Sequence, residues 1–142
     1  MKTSGEPKYM EISEGAKSSV PYGMRIERDG ATMLVICGTA CMNGQRNTPP
    51  PENFREQAWQ TLRNISAVLE TEGATWRDVV RTMCFSQDVD RDYAVFCDIQ
   101  TQFYKEMQLD SLPASTGVQS RLRRKDLLVE IEAVAVLPHE GG

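Results

Sequence analysis

Two hydrophobic periods take turns along this chain. From Met24 to Arg28 apolar and charged residues alternate, Asp29-Gly30 is a strong hairpin-turn pair, and Ala31 to Cys37 is rich in apolar and β-branched residues. This predicts a β-hairpin whose second strand ends at Gly38. Residues 41–51 predict a loop, because Pro49-Pro50-Pro51 cannot sit inside a helix. A helix is expected from about Glu52, whose charge suits a first turn. Phe54, Ala58, Leu62, Ile65, Val68 and Leu69 recur at helical spacing on one face, and Gly73 is placed to cap the end. Val79 to Ser86 has the composition of a strand. Residues 88–92 predict a turn and helix start, Tyr93, Phe96, Ile99, Phe103 and Met107 mark a second amphipathic helix, and Pro113 stops it. Thr116 to Ser120 reads as a short strand, the basic run after it as a turn, and Leu127 to Leu137 as a long final strand.

The expected order is therefore β-β-α-β-α-β-β. Two helices of similar length can cover one face of a single mixed sheet, which gives an α+β domain. The 142 residues suffice for one core, and no repeat or linker interrupts them. A polar extension over residues 1–19 and one domain over residues 20–138 are expected.

The final strand is the most informative segment. Its odd positions, Leu127, Val129, Ile131, Ala133, Ala135 and Leu137, are all apolar and suit packing beneath the helices. Its even positions mix Leu128, Val134 and Val136 with Glu130 and Glu132. A solvated face would be polar throughout and a core face would lack two carboxylates. The mixture reads either as contact with another subunit, with the acids at a partly buried cleft, or as two rim charges on an open sheet. In a cleft, a carboxylate needs a partner, because desolvating it alone costs several kcal/mol.

Charge and cysteine usage narrow the classes. The net charge of −4 argues against a broad nucleic-acid surface. The one basic cluster, Arg121, Arg123, Arg124 and Lys125, reads as a solvated loop or as an anion site. Cys37, Cys41, Cys84 and Cys97 match no metal-ligand spacing, and the single histidine, His139, lies in the tail, so no metal is expected. No apolar run approaches the ~20 residues of a membrane span, and Met1 to Lys17 has no apolar core of a secretory signal. A cytoplasmic protein is expected.

Several residues together carry a family resemblance. They are Pro21-Tyr22, Gly38-Thr39, Gln57 with Leu62-Arg63-Asn64-Ile65, Asp78-Val79-Val80, Asp92-Tyr93, Pro113-Ala114, and Leu128-Val129-Glu130-Ile131-Glu132-Ala133. In this order and spacing, over about residues 20–137, the chain resembles the Rid (YjgF/L-PSP) family. The resemblance implies a chorismate-mutase-like α+β fold and a homotrimer with a small-molecule cleft at each interface. It also implies hydrolysis of reactive enamines or imines to a 2-oxo acid and ammonia, without metal or organic cofactor. By motif, Glu130 takes the place of the family's acid/base and Tyr22 that of a tyrosine closing the pocket. Ser115, Thr116, Gly117, Arg121, Gly38 and Thr39 are the expected substrate-binding set. Where the deaminases carry an arginine that grips the substrate carboxylate, this chain has Ser115, and Gly117 stands where they often have cysteine. Losing such a bidentate contact weakens carboxylate binding by about 2–4 kcal/mol. Either another cation, such as Arg121 or Arg25, takes the role, or the ligand differs.

Three functions are consistent with these residues. One is a hydrolase of a small imine, enamine or related unsaturated acid, with similarity to chorismate-hydrolysing enzymes in the Ser-Thr-Gly stretch and the final strand. The second is a non-catalytic ligand-binding or regulatory trimer. The third is a ribonuclease, which the negative charge opposes. No nucleic-acid or membrane partner is expected.

Overall fold

A computed structural model of the chain describes residues 8–10, 22–41, 50 and 52–138. It contains strands β1 (Lys8–Met10), β2 (Gly23–Arg28), β3 (Ala31–Thr39), β4 (Val79–Ser86), β5 (Ala114–Gln119) and β6 (Val129–Pro138), with helices α1 (Phe54–Thr71) and α2 (Val89–Glu106). The strands form one sheet in the order β1-β2-β3-β6-β4-β5. All pairs are antiparallel except β4–β5, which α2 joins as a parallel crossover. The expected α+β arrangement is present, with one further strand: β1 pairs with β2 from within the polar N-terminal stretch.

Local chemistry explains the boundaries. Asp29 and Gly30 both take positive φ, 52° and 78°, as a two-residue hairpin turn requires. The α1 helix starts later than expected. Asn53 is its N-cap, accepting from the amides of Arg55 (2.7 Å) and Glu56 (3.3 Å), so Glu52 lies outside the helix and Glu56 is the first-turn acid. Asp88 caps α2 by accepting from the Arg91 amide at 3.0 Å. The strand β3 runs on through Gly38 to Thr39, with a register shift against β6 between Ile36 and Thr39. Pro21, His139 and most of the expected 41–51 loop lie outside the described residues.

The core fills the space between the helices and one face of the sheet. Val129, Ile131, Ala133 and Ala135 of β6 are essentially inaccessible there, beside Leu34 and Ile36 of β3. Leu62, Ile65, Val68 and Leu69 of α1 and Phe96, Ile99 and Phe103 of α2 close over them. Phe103 meets Trp76 edge-on at 5.2 Å and Trp59 at 5.8 Å. Each such large side chain contributes about 1.5–3 kcal/mol on burial.

Three side-chain amides, those of Gln57 and Asn64 buried and that of Gln87 partly so, fasten the sheet's loops. Gln57 of α1, fully buried, donates to the Asp126 carbonyl (2.8 Å) and accepts from the Leu128 amide (2.9 Å). Asn64, two turns along the same helix, donates to the Ala40 carbonyl at 2.8 Å. Gln87, just past β4, donates to the carbonyls of Arg124, Lys125 and Leu127.

Candidate functional site

The site grows from the alternation of β6. Because Ile131 faces the helices, Glu130 and Glu132 face the other way, across a sheet surface that no element of this chain covers among the described residues. Register places Phe85 of β4 beside Glu130, and Val118 of β5 beyond it. On the other side lies Gly38. A Cβ on Gly38 would overlap Glu130 Oε1 and sit 2.9 Å from Cδ, so the carboxylate occupies the space that glycine leaves free. Gly38 and Glu130, expected in one site, are in contact.

The Glu130 carboxyl is half-buried and accepts no hydrogen bond from the described residues. Burial raises its pKa, and the neighbouring charge of Glu132 raises it further. No cation among the described residues offsets either effect. A carboxyl that keeps its proton above its ordinary range is better suited to giving and taking one than an ordinary solvated carboxylate.

The other expected residues are distributed differently. Thr39 is next to Gly38, and its hydroxyl donates to the Cys37 carbonyl at 2.9 Å. The Tyr22 carbonyl accepts from the Cys37 amide at 2.8 Å, while the Tyr22 side chain packs against the helix-side core. Ser115 pairs in register with Thr82, and the Thr82 hydroxyl donates to Ser115 Oγ at 3.1 Å. Thr82 is buried on the helix side, so Ser115, and Gly117 two residues on, look away from Glu130 within one chain. Thr116 alternates onto the open face beside Met83. Arg121 lines a cleft whose walls include neither Glu130 nor Gly38. Arg25 is engaged on the helix side, donating to Glu27 (2.7 Å) and to Glu72 (2.9 Å), so it is not a free cation for the open face.

Three residues that shape this region had no site role in the sequence reading, where Gln57 and Asn64 stood only among the marks of the family. Phe85 supplies an apolar wall beside Glu130, and Gln57 and Asn64 tie down the segments that carry Glu130 and Gly38. The signal for the amides was available, since Gln57 and Asn64 are polar positions on the otherwise apolar face of α1.

Comparison with known proteins follows the same architecture. The family model described as Endoribonuclease L-PSP matches residues 15–137. The chain belongs to this family, also called Rid or YjgF. A RutC family protein of Synechocystis is 34% identical over 132 residues, covering 92% of this chain and 97% of that protein. The 2-iminobutanoate/2-iminopropanoate deaminase of Escherichia coli is 30% identical, covering 87% and 94%. Among solved structures, E. coli TdcF with bound serine superposes with a TM-score of 0.74 at 27% identity, covering 92% of this chain and 98% of that one. Some Rid proteins are thus imine deaminases. No described helix of this one is long and apolar enough to cross a membrane.

Proposed function

We propose that this Rid protein is a hydrolase of a small imine, enamine or related unsaturated acid, with Glu130 as acid/base in a cleft between two chains of a homotrimer. The observation that carries the reading is the Glu130 carboxyl: half-buried, raised in pKa, without an ion partner among the described residues and seated over Gly38. In the reaction the carboxyl protonates the enamine carbon, giving an iminium. The carboxylate then takes a proton from water as the water oxygen adds to the iminium carbon, giving a carbinolamine. The carboxyl returns that proton to the nitrogen, the C–N bond breaks as the hydroxyl proton passes to the carboxylate, and ammonia and a carbonyl product leave.

The shared cleft rests on the two faces of the sheet. Glu130 and Gly38 lie on the open face, and Ser115 and Gly117 on the opposite face of the edge strand β5. One chain cannot bring them together; a second chain laid against the open face brings its own β5. Met33, Val35 and Val136 give that face an exposed apolar patch for the second chain to cover. Thr39 belongs with Gly38 in this cleft, Thr116 with the incoming β5, and Tyr22 steadies the Cys37–Gly38 backbone. We place the protein in the cytoplasm, acting without metal or organic cofactor and without a nucleic-acid partner.

Ser115 favours a second reading, a ligand-binding trimer without turnover, because a neutral hydroxyl already bonded to Thr82 offers no charge to a substrate carboxylate. Release of ammonia from an amino-acid-derived enamine generated in situ separates the two. Turnover that Glu130→Gln lowers by about 10²–10⁴-fold, with the assembly intact, supports the hydrolase. Turnover unchanged by this variant removes Glu130 from the mechanism, and none in the parent protein favours the binding reading. Ser115→Arg should raise the rate if the substrate carries a carboxylate.

A further inference from the structure

We propose that the cleft between the β5–β6 loop and the end of β4 binds a small anion bearing two or more negative charges, of phosphate or polycarboxylate type. It is an open cleft of about 640 Å³, walled by Gln87, Gln119, Arg121, Arg123 and Lys125. The proposal goes beyond the hydrolase reading, since neither Glu130 nor Gly38 lines the cleft.

The charges are unbalanced there. Arg121, Arg123 and Lys125 are all exposed, and none forms an ion pair with a described residue. Arg124 alone of the cluster is paired, through Asp126 at 2.6 Å. Three cations within five residues, with no ion partner among the described residues, repel one another in a chain whose net charge is −4. A bound anion relieves that repulsion.

The loop that carries them is held in place. Leu122, between the two free arginines, is buried against Cys41 and Leu127, so Arg121 and Arg123 spread to either side of an anchored residue. The Gln87 amide grips the carbonyls of Arg124, Lys125 and Leu127 from beneath. On the far wall, Gln119 Oε1 accepts from the Val89 amide at 3.0 Å, which fixes the cleft to the start of α2. A fixed backbone under free guanidinium groups lowers the ordering needed on binding, and the guanidinium fork matches both phosphate and carboxylate oxygens. The confined site and the acidic chain favour a small anion over a nucleic acid, which needs an extended basic surface.

Calorimetric titration of the full chain with pyrophosphate and with citrate, in about 0.15 M salt to screen loose association, tests this. At least one should bind with a Kd below about 1 mM. Which of them binds distinguishes a phosphate from a carboxylate ligand. The double variant Arg121→Ala/Arg123→Ala should weaken that binding tenfold or more, while Arg63→Ala/Arg77→Ala, exposed arginines elsewhere, leaves it unchanged. Binding of neither anion overturns the proposal, as does equal weakening by the two double variants. Binding of an oligoribonucleotide where neither anion binds overturns it in favour of a nucleic-acid surface.

Discussion

Ile131 and Glu130 are neighbours in β6 and meet opposite surroundings. Ile131 is 1% exposed beneath the two helices, surrounded by apolar side chains of this chain. Glu130 lies on the other face, beside Phe85 and Gly38, and farther along the same face are Met33, Val35 and Val136, which are 37–41% exposed. One face of the sheet is completed by the chain itself. The other carries apolar area and a carboxyl with no ion partner among the described residues, a combination that neither water nor a core accommodates well. The difference teaches that the helix face holds the fold, while the open face is the one on which the proposed assembly and site depend.

Substitutions on the two sides should therefore separate stability from assembly. Ile131→Asp puts an unpaired charge in the core and should cost more than about 4 kcal/mol, leaving the protein unfolded in thermal melts. Gln57→Leu orphans the Asp126 carbonyl and the Leu128 amide and should cost about 1–3 kcal/mol by denaturant unfolding. Val136→Asp on the open face should change the stability of the fold by no more than about 0.5 kcal/mol. Its effect belongs on assembly, with light scattering showing monomer in place of trimer. A Val136→Asp protein that stays trimeric would break the comparison.

Glu130→Gln should have the smallest effect on stability, and its sign depends on pH. The folded carboxyl titrates above its ordinary value of 4.5, chiefly through burial. The folded chain therefore keeps this proton at pH values where the unfolded chain has lost it. Stability contributed by the protonated form is complete below the ordinary value and is lost as pH rises through the raised one. Glu130→Gln escapes that loss, so its melting temperature should exceed the parent's at pH 7, and the gap should close below about pH 4.5. A Glu130→Gln protein less stable than the parent at pH 7, with the deficit closing in acid, would mean that the carboxylate is paired in the folded protein.

The fold was legible where one period ran unbroken. The odd positions of β6, the apolar face of α1 and the whole of β4 are read directly from spacing. The exceptions have local causes. The start of α1 depended on the Asn53 side chain reaching two amides, a geometry that the first-turn charge of Glu52 does not specify. β1 carries no alternation of its own and exists through its pairing with β2. At the site, the mixed even face of β6 marked Glu130, and motif order added Gly38. Spacing alone could not show that Ser115 and Gly117 look away from Glu130, because that follows from which strands neighbour β4. Arg25 misleads as a candidate cation for the same reason: its register opposite Leu34 turns it to the helix side, toward Glu72.

Complementation between two damaged chains tests the shared cleft most directly. Glu130→Gln removes the acid on the open face, and Gly117→Trp fills the β5 side, where the glycine has open space within its own chain. Each variant alone should be inactive in ammonia release. Refolded together in equal amounts, random trimers would carry both intact halves at about a quarter of their interfaces, and activity should return to about that fraction of the parent's. Mixtures that stay as inactive as the separate variants, with mixed trimers present, would contradict a site built from two chains.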